Sequence, residues 1–532
     1  VLDQQGFPLR APACHVAGAI THQPKPALVM KKTLLAACGL SVAASLPSAV
    51  MLALAVLAPA TSVRGATQYW NKANTTPPLV WATNNNPNWT DADDGTNYAV
   101  WGGASTDAVI VTPSASIAFG GSIVNAASLT IRGGATFTHN GATNTGVNIS
   151  GANGTSGSGD FSLSENSAST ARLGVYLGSH TVNSTGYNGT ITVNSFTNTS
   201  SGLYLGSDSK LAAAGAAYTG TDTNTRVVLN DGTLFLHGGL AGTTATLGSL
   251  SGSGRIALSN IASANSGTRT LKIQQNTNTT FTGDIGSLTT TQTNNLLALT
   301  KSGTGSLTIN ADDASGYAGD TIVEQGTLRL NGTFGNTAVS GGAINQGNFV
   351  VNSDATLALD GTFNLGGAKT VTIKTGGTLD AGRMTLDGAG TTTSAGLVFE
   401  GIATIRFALG SEDTGSLITL ADASMKGQSS GAADSIFFNF TNAGDAQAGA
   451  TYNLIHFGTD ARTSIVSTEY ALSQESIDAG WVGNFSYSDN GRTLRFTVSA
   501  VGSTIPEPGT VALLAGIAVL VAAGATRRRL FS

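Results

Sequence analysis

The sequence predicts an all-β fold of the solenoid type, and three observations predict it. Short runs of alternating apolar and polar residues recur along the chain, glycine, asparagine or aspartate separates them, and the runs return at a spacing close to one coil. Thr300 to Gly332, TKSGTGSLTINADDASGYAGDTIVEQGTLRLNG, shows all three. Its runs are Ser306 to Ile309, Thr321 to Val323 and Thr327 to Leu330. Alternation with period two puts Leu307 and Ile309 on one face and their Ser and Thr neighbours on the other, which is a half-buried strand. Each run is too short to stand alone. Stacked copies would bury a continuous core.

Copies of the unit occur. Ala355 to Gly361 (ATLALDG) and Gly377 to Gly382 (GTLDAG) repeat the theme of Gly326 to Gly332 (GTLRLNG). Leu307, Leu328, Leu357 and Leu379 lie 21, 29 and 22 residues apart. Earlier echoes are Ser128 to Ile131, Gly232 to His237 and Gly254 to Leu258. The string K-S-G-T-G-S-L-T-I, Y-A-G-D-T-I-V, G-T-L-R-L-N-G resembles the autotransporter-associated β-strand repeat of large bacterial surface proteins. The resemblance covers about 33 residues well. It implies a right-handed parallel β-helix, whereas the period alone also permits other β-solenoids.

Sixty-nine glycines, 11% charged residues and 6% aromatics fit many short strands joined by tight turns. Cys14 and Cys38 both precede the expected mature start. The exported part then holds no disulfide and no cysteine metal site. From Ala66 to Ile505, 18 Lys and Arg stand against 29 Asp and Glu, a net charge of −11. That acidity, without a basic cluster, argues against nucleic acid as a partner.

Val1 to Val29 is polar, unpatterned and proline-containing, and reads as an upstream extension, untranslated or disordered, ahead of a start at Met30. Residues 30–65 form a signal peptide for the Sec translocon and signal peptidase. Lys31 and Lys32 give the basic region, Leu34 to Ala60 the apolar helix, and Val63-Arg-Gly65 the small residues at the cut. Leu35 to Cys38 offers an alternative lipoprotein box. Residues 66–110 form a tryptophan-rich N-terminal cap containing Trp70, Trp81, Trp89 and Trp101. The competing reading of these four is a glycan-contacting platform, because aromatic faces stack on sugar rings. Tryptophan-rich starts accompany the repeat family that the chain resembles, and that favours the cap.

Residues 111–396 are the solenoid, with its clearest unit at 300–332. Within it Gly151 to Gly159 (GANGTSGSG) reads as a flexible insertion and Ala212 to Ala217 as a small-residue turn. Residues 397–500 carry longer apolar runs such as Ile436 to Phe440, and end in Asn484 to Tyr487 and Thr493 to Val498. These last two read as paired closing strands.

At 504–532, Ile505-Pro-Glu-Pro-Gly509 leads into the apolar stretch Val511 to Ala525 and then Arg527, Arg528 and Arg529. Residues 511–525 are expected to form a single transmembrane helix of about 22 Å, short for a core of about 30 Å, with the arginines cytoplasmic. The order of motif, helix and basic end resembles the PEP-CTERM sorting signal. That resemblance implies recognition of Pro506, Glu507 and Pro508 by an exosortase, a membrane cysteine protease of Gram-negative exopolysaccharide producers. A plain single-span anchor is the alternative.

Little in the chain points to chemistry. Gly427 to Gly431 (GQSSG) fits G-x-S-x-G but lacks the strand before and the helix after that a nucleophile elbow needs. His139, His180, His237 and His456 never occur at metal-ligand spacing, and no phosphate loop is present. Asp91, Asp93 and Asp94, and Asp312, Asp313 and Asp320, are acidic clusters without a full Ca²⁺ loop pattern; aspartate is common in turns. No cofactor, metal or catalytic residue is assigned.

The resulting expectation is a non-catalytic exported protein, held at the inner membrane before exosortase processing and then placed at the cell surface or in the extracellular matrix, with exopolysaccharide as its associate. The alternatives are a β-helical polysaccharide lyase or hydrolase, for which no carboxylate pair can be nominated, and a glycan-binding adhesin using the tryptophans. An autotransporter proper would need a long array of amphipathic barrel strands at the C-terminal end.

Overall fold

Leu307, Leu328, Leu357 and Leu379 stand in direct register on successive parallel strands, and the column runs on through Ile405, Phe438 and Leu472. One column thus joins seven coils. The structure, a computed structural model, describes residues 66–501 except 71–78, 83–87, 92–97, 100, 122, 141–143, 166–170, 178–186, 206–224, 237–242, 259–266, 287–294, 316, 318, 336, 340–341, 345, 367–368, 389–394, 412–414, 422–423, 427–434, 459–466 and 489–490. The expected extension, signal peptide and sorting tail lie outside the described residues, as do Ala212 to Ala217 and Gly427 to Gly431. Among the described residues no helix is long and apolar enough to cross a membrane.

The described chain is nearly all strand. Its strands form a 27-stranded sheet, an 8-stranded sheet and one short hairpin. Pairing within the two large sheets is parallel through most of the chain, each strand bonding to the one a coil earlier and the one a coil later. In the coil at 349–365, Phe349–Val351 lies in the smaller sheet and Ala355–Leu365 in the larger. Leu357, Leu359, Phe363 and Leu365 point inward and are buried. The parallel stack is consistent with a β-helix.

The sequence grouped three runs of 300–332 as one unit, and the structure divides them. Ser306–Ser315 pairs with Gly326–Phe334 directly, while Thr321–Val323 pairs with Leu299 to Lys301 in the other sheet. The stretch therefore spans parts of two successive coils, because each coil visits both sheets.

Strand Ala355–Leu365 turns a corner at Asp360-Gly361. Gly361 has φ +124°, and a Cβ there would sit 2.0 Å from the Gly332 carbonyl oxygen of the preceding coil. Gly332 and Gly361 are themselves in register. A side chain at such a corner would push two coils apart, so the fold needs glycine there.

Gly151 to Gly157, expected to be flexible, is part of strand Thr145–Gly157, and Gly154 to Gly157 pair with Ser128 to Ile131. Glycine content suggested looseness, but the ladder of backbone bonds on a neighbouring coil fixes it. Asp312 and Asp313 lie within strand Ser306–Ser315, in the irregular stretch between its paired residues Ala311 and Ser315.

The two ends depart from parallel pairing. Thr67–Trp70 joins the stack in parallel with Asp107–Ile110, while Tyr69 also pairs antiparallel with Thr90. At the far end Thr493–Ala500 pairs antiparallel with both Thr451–Phe457 and Val482–Ser488. Beside it the short helix Gln474–Asp478 is capped by the Ser473 hydroxyl, which accepts from the Ser476 N–H. Phe438, Phe440, Phe485, Phe496 and Trp481 fill the space between them.

On the outer face, two ion pairs reach across an intervening coil. Arg329 Nη2 lies 2.8 Å from Asp380 Oδ2, over Ala358, which pairs with both residues. Lys272 Nζ lies 2.6 Å from Glu324 Oε2, past Thr300.

Gly361→Ala is expected to cost about 2 kcal/mol or more, from positive φ and carbonyl overlap together. Urea denaturation followed by circular dichroism should show a lower midpoint; an unchanged midpoint would mean that the corner relaxes freely.

Candidate functional site

Among the described residues, chemistry-bearing side chains gather at the tryptophan cluster and at the corner of the repeat at Lys301. Trp70, Trp81 and Trp89 are at most 1% exposed, and Trp101 is 6% exposed. Their rings pack edge to face or tilted, with centroids 4.7 Å apart for Trp81–Trp89 and Trp89–Trp101, 5.0 Å for Trp81–Trp101 and 5.2 Å for Trp70–Trp89. Trp101 Nε1 donates to the Asn125 carbonyl at 3.0 Å. The competing glycan-contact reading of Trp70, Trp81, Trp89 and Trp101 would need an open ring face, whereas the four rings are buried against one another beside the first described coils.

Sequence reading missed what continues from them. Trp81 packs on Phe119, Phe119 on Phe137, Phe137 on Phe161 and Phe161 on Tyr187, with centroids 5.4 to 5.8 Å apart. This aromatic column runs inside successive coils. Its only sequence signal was one inward aromatic per coil, at spacings of 18, 24 and 26 residues from Phe119 to Tyr187.

Lys301 is fully buried. Its Nζ donates to the carbonyls of Ser302 and Gly303 at 2.8 Å each and of Gln325 at 3.3 Å. Ser302 O, at the end of its strand, also accepts from the Gln275 N–H at 3.0 Å, while Gly303 and Gln325 lie in the corners beyond the strands, where a buried acceptor must find a donor. The corner itself is close-packed. Gly303 has φ +78°, and a Cβ on Gly326 would lie 2.4 Å from the Gly303 oxygen. One coil earlier, buried Gln275 does the same work. Its Nε2 donates to Thr277 O, Thr279 Oγ1 and Ser306 O at 2.9 to 3.1 Å. Burial lowers the Lys301 amine from its ordinary value to about 8. The amine touches carbonyls and has no solvent access, so it serves as an internal clasp and not as a nucleophile.

The rest of the motif is equally structural. Tyr317 is 1% exposed, and its hydroxyl meets Thr321 Oγ1 at 2.8 Å. Asp320 Oδ1 accepts from the Asn348 N–H of the next coil at 2.9 Å.

Among the described residues His139 and His456 are not brought together. His139 is buried with Nε2 3.8 Å from Glu165 Oε1, and His456 Nδ1 lies 3.3 Å from Thr493 Oγ1. His180 and His237 lie outside the described residues, as do Asp93 and Asp94 and the side chains of Asp312 and Asp313. Among the described residues no group of three or more His, Cys, Asp or Glu is placed to hold a metal ion. Pro506, Glu507, Pro508, Arg527, Arg528 and Arg529 also lie outside them.

Residues 299–330 match the model of the passenger-associated transport repeat. The chain carries an autotransporter-type repeat. The match opens at Leu299, just before Lys301, and closes at Leu330, which is in register with Ile309 and Leu359, so it spans the clasp and the paired coils described above. No curated protein matches the chain. A passenger repeat of this type points to an exported, surface-type protein.

Two substitutions probe these places. Trp89→Ala removes the ring that touches the other three and is expected to cost about 3–5 kcal/mol in the first coils; limited proteolysis should cut near the N-terminal end of the body while the later coils resist. Lys301→Met takes the amine away from the Gly303 and Gln325 carbonyls and leaves Ser302 O with only the Gln275 N–H, at about 1–3 kcal/mol if the corner does not relax. The folded amine titrates near 8 and the unfolded one near 10.4, so between these values the unfolded chain binds more protons and stability rises with pH. Wild type should therefore gain stability over Lys301→Met from pH 8 to about 10.4; parallel melting curves of the two proteins would show this as a widening gap.

Proposed function

We propose that the chain is a non-catalytic surface or extracellular-matrix protein of a Gram-negative bacterium, exported through the Sec pathway and sorted by an exosortase. The observation that carries this reading is the passenger-type repeat at 299–330, set in a parallel stack in which Lys301 and the four tryptophans pack against neighbouring coils and one another. Signal peptidase releases the chain at the 30–65 leader. Val511 to Ala525 holds it at the inner membrane, with Arg527, Arg528 and Arg529 on the cytoplasmic side. The exosortase then acts at Pro506-Glu507-Pro508, and the body passes to the surface and associates with exopolysaccharide. A stacked body suits that task, since its length can grow by whole coils without a new core.

Fractionation tests the reading. Antibodies to the body and to the Ala525–Ser532 end are used on blots of host cells with and without their exosortase. The expected result is body outside the cell without the tail, only when the protease is present. Body and tail together in the inner membrane in both strains would reduce the tail to a simple anchor and remove the matrix role.

A further inference from the structure

The coil that follows Thr190–Asn194 has an oversized corner. Asn194 pairs with Asp231 and Leu203 with Leu234 of the next coil. Residues 195–202 therefore stand opposite only residues 232 and 233. The surplus chain forms an outward loop, tied down where Thr197 N and Oγ1 both donate to Glu165 Oε2 at 2.9 Å and where Tyr204 Oη donates to the Ser200 carbonyl. Next to this loop is a cleft of about 240 Å³, into which Phe196, Asn198 and Thr199 face from the loop. Thr233, Arg255 and Asp284, in register on three successive coils, line it from the stack.

The fold keeps this cleft open. Gly232 and Gly254 also line it, and a Cβ on Gly254 would lie 2.3 Å from the Gly232 oxygen. The coil-to-coil approach thus requires glycine at this position, and the cleft wall there is bare backbone. The cleft's charged groups cancel: Arg255 Nη2 is 3.5 Å from Asp284 Oδ2, both about 40% exposed. They set a donor group and an acceptor group side by side on strands about 4.8 Å apart. Phe196 adds a half-buried aromatic ring, which can meet the apolar face of a sugar while hydroxyl groups bond to the polar side. A polyanion would meet the Asp284 carboxylate and a body of net charge −11.

We propose that this corner cleft binds a neutral, polyhydroxylated ligand: a short run of uncharged hexose residues within a polysaccharide. The site deepens the matrix reading and rests on it for the source of the polymer. Its chemistry is separate from the sorting tail and from the tryptophans.

Calorimetric titration of the purified full chain tests it, with cellohexaose, laminarihexaose and mannohexaose as probes and hexagalacturonate as the anionic comparison. At least one neutral hexaose should bind. Arg255→Ala and Phe196→Ala should each weaken it about tenfold or more, equivalent to about 1.4 kcal/mol, with melting midpoints within a few degrees of wild type. Asp284→Asn keeps the shape and loses only the charge balance, so it should retain folding and raise hexagalacturonate affinity. Failure of all three neutral probes, equal binding by wild type and Arg255→Ala, or binding of hexagalacturonate alone would overturn the proposal. An exported protein that ignores the hexaoses sinks the cleft alone. A protein that binds them but stays whole in the inner membrane sinks the sorting reading alone.

Discussion

The structure depends on one constraint: each coil must lie on its neighbour in residue-by-residue register. Parallel strands bond to the coil before and the coil after, so neither end of a short strand such as Thr321–Val323 is stable without its neighbours. Register puts like on like. Leucine meets leucine inside, glycine meets glycine at the corners, and asparagine meets asparagine outside, as where Asn331 Nδ2 donates to Asn310 Oδ1 at 2.8 Å. A slip by one residue would turn the inward leucines to water and bring threonine and arginine into the core. Repetition in the sequence is the chemical record of this requirement.

That is why so much of the fold was legible in advance. Leu307, Leu328, Leu357 and Leu379 announced the stack because identical positions in successive coils meet identical surroundings. What the repeat could not announce was the path within a coil. Its short runs look alike whether they belong to one sheet or two, and only long-range pairing assigns Thr321–Val323 to the smaller sheet. Gly151 to Gly157 misled for a related reason. Composition reports how free a segment is in isolation, not how a neighbouring strand holds it. Lys301 was hidden too, since a lysine reads as a surface residue until the three carbonyls around it are seen.

The candidate sites divide along the same line. Aromatic residues close together in sequence allowed a binding face as the competing reading of Trp70, Trp81, Trp89 and Trp101, whereas the structure buries these rings against one another. The corner cleft was not legible, because Phe196, Arg255 and Asp284 come from three coils and share no motif. Its opening depends on a length mismatch between one corner and the next, which becomes visible only when strand partners are known.

The ion pairs that skip a coil, Arg329 with Asp380 and Lys272 with Glu324, have a consequence for cooperativity. A stack held only by adjacent contacts would melt like a one-dimensional chain, fraying coil by coil from its ends. Exposed pairs of this kind contribute little energy each, but they join coils that otherwise do not touch. Opening a single coil in the middle breaks ties on both sides of it at once. The ties add a small next-nearest-neighbour term, on both sides of the transport repeat, to the coil-to-coil ladders.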